Sequence, residues 1–204
     1  MSRTVATALV TLLVGLGAGQ AASAGCMDID PPLWNTTPTQ QVLYDKLVSY
    51  MSCPADDPAS GALADKVACN YFVGKVLDDA YGIEDFSTGS GTWLLADQML
   101  DYVTHHPDTW SKLGTADDQA ALNNAAQGAS QGQAVVALMH GDPGHVVLIL
   151  PGDPQPSGQW NLSVPNSAGF SIGHVDKTYV FCKLSWGFKA TDISNVEIWW
   201  RVKP

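Results

Sequence analysis

Two residues in this chain have the right chemistry to open an amide bond together, Cys69 and His145. A thiol attacks a carbonyl carbon well only as its thiolate, so a nucleophilic cysteine needs a lowered pKa and a base within hydrogen-bond reach. Cys69, Phe72, Val73, Val76, Leu77 and Ala80 recur at helical spacing, and the run stops at Tyr81-Gly82. This predicts a helix that carries Cys69 near its beginning and on its inward side. Unpaired N–H groups and the positive dipole end favour an anion there, and they can also hold the oxyanion of a tetrahedral intermediate.

His145 follows the turn-forming run His140-Gly141-Asp142-Pro143-Gly144 and opens the apolar run to Leu150. A hairpin is predicted, with His145 at the entrance of its second strand. Alternation puts His145, Val147 and Ile149 on one face and Val146, Leu148 and Leu150 on the other. One face is expected to cover the helix, with the histidine at the mouth of the strand directed to the cysteine at the mouth of the helix. His140, across the turn, is the alternative base. His105, His106 and His174 are expected in solvated loops. A cysteine on an apolar helix face is by default a core residue, so the chemistry rests on the pair and not on Cys69 alone.

These residues need elements to position them. Gln40 to Met51 is predicted as a first helix, closed by Ser52-Cys53-Pro54, and Trp93 to Val103 as a helix after the Ser87 to Thr92 loop. The stretch 105–132 is polar, with Asn123 to Gly128 expected as a short helix covering the active-site side. Strands are predicted over Ala134 to Met139, His145 to Leu150, Trp160 to Val164, Lys177 to Leu184 and Val196 to Val202. Helices first and an antiparallel sheet second make an α+β domain.

The segments Ala68-Cys69-Asn70-Tyr71-Phe72-Val73 and Gly144-His145-Val146-Val147-Leu148-Ile149 resemble the two signature blocks of papain-like cell-wall amidases. The closer resemblance is to the amidase effectors that bacteria deliver through type VI secretion, in which an Ala-Ala-Gln-Gly stretch lies between the two blocks. Here that stretch is Ala125-Ala126-Gln127-Gly128, and the similarity runs from about Cys69 to Ala168. The resemblance implies a papain-like fold and hydrolysis of an amide bond in the peptide stem of peptidoglycan through an acyl-enzyme. In the wider superfamily a third polar group from the strand after the histidine strand orients the imidazole. Asn166 is the first choice for that role and Asn161 the second, although both are also ordinary turn formers. The partners implied are peptidoglycan stem peptides, and a cognate inhibitor protein stays open as another. A cysteine protease or transpeptidase acting on protein shares the chemistry, and a wall-binding module on the same fold shares none of it.

Residues 1–24 carry Arg3, an apolar run from Val5 to Leu16, and Ala22-Ser23-Ala24, the layout of a secretory signal peptide. The apolar core is shorter than the ~20 residues of a membrane span. An exported, periplasmic or secreted protein is expected, with residues 25–204 as one domain and a monomer as the simplest state. Secretion-system effectors generally lack such a leader, which points instead to export by the protein's own cell. Lipid attachment at Cys26 is the minor alternative. Acidic residues outnumber basic ones by 20 to 10, for a net charge of −10, which argues against nucleic acid and anionic membrane surfaces as partners. Of four cysteines, Cys26 and Cys53 are the preferred disulfide pair, leaving Cys182 as an apolar filler in a strand. No spacing of Cys, His and carboxylates resembles a metal site, so no metal and no cofactor are expected. Trp93, Trp110 and Trp160 are weighed as groove residues, Trp93 being preferred, while Trp186, Trp199 and Trp200 are assigned to core packing.

Overall fold

The computed structural model describes residues 41–43, 45–47, 68–142, 144–171 and 174–202. Its elements, in chain order after helical residues at 41–43 and 45–47, begin with α1 (Ala68–Tyr81), β1 (Ser87–Gly89), β2 (Thr92–Trp93), α2 (Ala96–His105), β3 (Trp110–Thr115) and α3 (Gln119–Ser130). They continue with β4 (Val135–Met139), β5 (His145–Ser157), β6 (Leu162–Ser171), β7 (His174–Lys183), two 3-10 segments (Leu184–Trp186 and Ala190–Asn195) and β8 (Glu197–Arg201). Helices and an antiparallel sheet share one architecture, which is α+β as expected. The predicted leader, Cys26, Cys53 and most of the predicted first helix lie outside the described residues.

The six-stranded sheet has the order β3-β8-β4-β5-β6-β7, with every neighbouring pair antiparallel. Two layers of apolar side chains form on its two faces. On one face α1 and α2 bring Cys69, Phe72, Val73, Val76, Met99 and Val103 against Val136, Leu138, Val146, Leu148, Leu150 and Ala168. On the other, α3 brings Leu122, Ala125 and Ala129 against Val135, Ala137, Val147, Ile149 and Ile198. The period-2 alternation of β4 and β5 therefore feeds both cores, which is why both strands read as unbroken apolar runs.

α1 ends where the glycine signal predicted. Gly82 takes φ 65°, its N–H donates to Asp78 O at 3.0 Å, and the Ile83 N–H donates to Leu77 O at 3.0 Å. That left-handed residue closes the last carbonyls of the helix at little steric cost.

Several elements differ from the sequence reading, with β1 and the start of β2 inside the expected Ser87 to Thr92 loop and β6 running on to Ser171 beyond the expected Val164. β3 lies in the stretch read as polar loop, because its strand identity comes from pairing with β8, Trp110↔Arg201 through Thr115↔Glu197, and not from its own alternation. The predicted helix from Trp93 begins instead at Ala96, with Trp93 in the short β2. β5 continues past Pro151-Gly152 to Ser157, since a bulge between Leu150 and Gln155 absorbs the extra residues and needs no ladder bond from the prolines inside it. The predicted helix at 123–128 is part of the longer α3, which packs on the face opposite α1, and so it does not cover Cys69.

Candidate active site

Cys69 is the second residue of α1, fully buried and free of any disulfide. The N–H groups of Val146, Asn70 and Cys69 itself lie against its sulfur. α1 reaches the sheet at the start of β5, where the β5–β6 ladder has not yet begun. That ladder opens at Leu148↔Ala168, whereas β4 pairs with β5 from Met139↔His145 onward. Burial pushes the thiol above its ordinary pKa of 9.0, and the three N–H groups pull the other way without overcoming it.

The neighbouring Asn70 fixes the start of α1 to the segment before α2 by donating its Nδ2 to Leu94 O at 3.0 Å and to Trp93 O at 3.4 Å. Trp93 lies over Gly74, where any Cβ would collide with the indole, and meets Tyr71 edge-on at 4.7 Å. The indole expected in a groove is thus half-buried against α1 and helps to hold the helix that carries the cysteine.

His145 opens β5 as predicted and is 7 % exposed. Its face differs from the expectation. It shares the α3 face with Val147 and with its cross-strand partner Met139, and its ring meets Phe188 edge-on at 5.1 Å. The residue next to it, Val146, is the one that faces Cys69. The physical cause is register: the apolar side chains that contact α1 are the even-numbered ones of β5, so an odd-numbered histidine in the same regular strand points through to the other side. The thiol faces the N–H of the residue next to the histidine, yet thiol and imidazole share no hydrogen bond. The Nδ1 atom of His145 is buried without a partner, and desolvation lowers its pKa to about 4.

Asn166 is buried but is not brought to His145. It pairs with Leu150, five residues along β5 and so roughly 16 Å from His145 at strand rise. Its Nδ2 donates to Asp153 O at 3.2 Å and Pro151 O at 3.4 Å, and its Oδ1 accepts from Gln155 Nε2. These bonds satisfy the bulge of β5, which is a structural task. The second choice, Asn161, takes φ 55° in the exposed β5–β6 turn, the ordinary use of asparagine there.

His140 is held at the hairpin turn by Asp97 of α2, Nδ1 to Oδ1 3.1 Å, and the same oxygen accepts the Gly141 N–H at 3.2 Å. His105 and His106 are exposed on α2 and just beyond it, and the His174 side chain lies outside the described residues. Cys182 is disulfide-bonded and not a free filler. The expected Cys26–Cys53 pair lies outside the described residues.

Two residues near the site carried no sequence signal. Tyr179 of β7 is 5 % exposed, and desolvation raises its pKa well above the ordinary 10.0, opposed by a side-chain hydrogen bond with Ser167. Trp186, assigned to a core strand by its neighbours, is 52 % exposed in a 3-10 segment beside Gly187 and Phe188. Trp110 and Trp160, weighed as groove residues, are buried.

Among the described residues no group of three or more His, Cys, Asp and Glu could hold a metal ion, and no helix is long and apolar enough to cross a membrane. No protein-family model matches this chain, and no match is found among curated proteins.

Proposed function

We propose that this chain is an exported cysteine hydrolase of papain-like fold that cleaves amide bonds in the peptide stems of bacterial peptidoglycan, with Cys69 as nucleophile and His145 as base. The observation that carries the reading is the surroundings of Cys69, a free thiol at a helix N-terminus whose sulfur faces N–H groups of two elements, one of them from the residue after His145. The Cys69 proton passes to His145, and the sulfur attacks the amide carbon. The resulting oxyanion lies among the helix N–H groups. Collapse breaks the C–N bond, and the amine leaves with the proton from His145. Water then attacks the thioester, regenerates the thiol and releases the new carboxylate.

Burial raises the thiol and lowers the imidazole, so proton transfer from one to the other is unfavourable as they stand. Activation requires the His145 ring to approach the sulfur and its Nδ1 to gain an acceptor, since a bond there favours the imidazolium. Substrate entering the site supplies both the polar contact and the exclusion of water.

A second reading is favoured by the imidazole lying on the opposite face from the helix of Cys69, namely a wall-binding module without catalysis. Digestion of purified peptidoglycan by residues 25–204 and by the Cys69→Ala variant separates the two. Stem-peptide fragments released by the wild type alone support the hydrolase, and their masses name the bond. Binding to peptidoglycan without fragment release by either protein supports the module. Cleavage of a protein substrate in place of peptidoglycan transfers the same chemistry to a protease.

A further inference from the structure

The end of β4 carries a second imidazole on the side of the sheet that holds Cys69. Val136 and Leu138 face α1 and α2, so alternation sends His140, two residues further, the same way. Its partner agrees with that side: His140 Nδ1 lies 3.1 Å from Oδ1 of Asp97, in the first turn of α2. His145, in contrast, looks to the α3 face.

Two routes tie this pair to the thiol. Along the sheet, Leu138 pairs with Val146, whose N–H lies against the Cys69 sulfur, and His140 stands two residues beyond Leu138. One strand spacing and two residues of rise, about 5 and 7 Å, separate the backbones of His140 and Val146. Across the helices, Asn70, the neighbour of Cys69, donates its Nδ2 to Leu94 O at 3.0 Å, and Asp97 follows Leu94 by three residues. The routes come from different elements and meet at the N-terminal end of α1.

The pair is held in one orientation. Oδ1 of Asp97 also accepts the Gly141 N–H at 3.2 Å, and a Cβ at Gly144 would collide with that oxygen. The carboxylate so fixed selects the tautomer of His140 with the proton on Nδ1 and the lone pair on Nε2. The His140 side chain is 62 % exposed, so water reaches its ring. His145 is 7 % exposed, with its ring against Phe188. A water that hydrolyses an acyl-enzyme arrives from solvent, and of these two imidazoles His140 is the one that meets it. An imidazole oriented by a carboxylate through Nδ1, with Nε2 left for a proton, is equipped as a general base.

We infer that His140, positioned by Asp97, is the general base that activates water for hydrolysis of the acyl-enzyme. This rests on the reading of Cys69 as nucleophile. His140 Nε2 takes a proton from water as the water oxygen bonds to the thioester carbon, and the C=O pair moves onto oxygen. Collapse restores the C=O bond and breaks the C–S bond. The sulfur leaves with that electron pair and takes the proton from His140, which returns the thiol and the neutral imidazole and frees the carboxylic acid. The two histidines thus divide the cycle: the buried one serves formation of the acyl-enzyme and the exposed one its hydrolysis.

The test compares the wild type with His140→Gln, Asp97→Asn and Cys69→Ala on soluble stem-peptide fragments. It reads kcat and KM, the pre-steady-state release of amine, the intact mass of quenched protein, and thermal unfolding. The expected result for His140→Gln is a kcat lowered about 100-fold with KM lowered in proportion, so that kcat/KM stays within about twofold. A burst of amine and an acyl adduct on Cys69 accompany it. Asp97→Asn gives the same signature at smaller amplitude, because Asp97 acts through the ring, and hydroxylamine, which attacks a thioester unaided, restores turnover in both. An unchanged kcat in His140→Gln while Cys69→Ala is inactive overturns the role of His140 and leaves the nucleophile intact. A kcat/KM that falls with kcat and leaves no adduct assigns His140 to acylation, or to structure where the Tm falls too, and also overturns it. A wild type that cleaves nothing, or a Cys69→Ala protein that cleaves as well, removes the acyl chemistry and with it this inference.

Discussion

Two polar clusters at opposite ends of the sheet differ in how far they are satisfied. At the end where β8 finishes, Asp85 accepts from Trp110 Nε1 at 2.9 Å, from Arg201 Nε at 2.7 Å and from Arg201 Nη2 at 3.3 Å, under the stacked rings of Phe86 and Trp110. Around the start of β5, the Asn70 Oδ1, the Trp93 Nε1 and the His145 Nδ1 are all buried without a partner. A folded chain that closes one polar cluster fully can in principle close another, and unpaired buried groups are costly. Gln133 Oε1, Trp160 Nε1 and Trp200 Nε1 are also buried without a partner, so such groups are not confined to the neighbourhood of Cys69.

The comparison can be sharpened by disturbing each end in turn. Asp85→Ala leaves the mostly buried guanidinium of Arg201 without its carboxylate, and the expected loss is about 3 to 5 kcal/mol in chemical denaturation, with fragment release per folded molecule retained. A smaller loss than from an exposed pair would break the contrast.

The next effect is in the acid limb of stability. The folded pKa of His145, about 4, lies below its ordinary 6.5, so between these values the unfolded chain binds the proton and the folded chain does not. Stability is therefore fully present above pH 6.5 and falls as the pH drops toward 4, by roughly 3 kcal/mol in total. His145→Gln removes this part of the slope, as urea titrations at several pH values would read. A slope that persists in the variant places the titrating group elsewhere.

The smallest effect belongs to the hairpin turn. Asp97 and His140 are exposed, and Asp97→Ala is expected to cost about 1 kcal/mol or less from the lost pair and the lost first-turn charge of α2. A Tm shift comparable to that of Asp85→Ala would show that this clasp, and not the buried cluster, carries the load.

Parts of this site were legible in the residues. The helix of Cys69 was readable because its apolar period and its glycine stop are both local, and the hairpin before His145 was readable because turn chemistry is local too. The side of the strand on which His145 stands was not, since period-2 alternation says which residues share a face but not which face meets α1. Asn166 looked like an orienting group because of its place after the histidine strand. The bulge that it satisfies depends on how Pro151 to Gln155 loop out from a ladder that no spacing displays. Trp186 read as core because its neighbours are strand-like, and the 3-10 segment that exposes it follows from the end of β7.

What the amino-acid sequence determined by itself is the chemistry on offer: a cysteine at a predicted helix start, an imidazole at a strand start, an acidic chain, and helices ahead of an antiparallel sheet. These are statements about residue types and short-range periodicity, which neighbours along the chain suffice to set. Tertiary structure alone decided that the thiol is fully buried and that the imidazole looks to the other face. Both depend on pairing between distant strands, and such pairings are selected by the packing of the whole sheet.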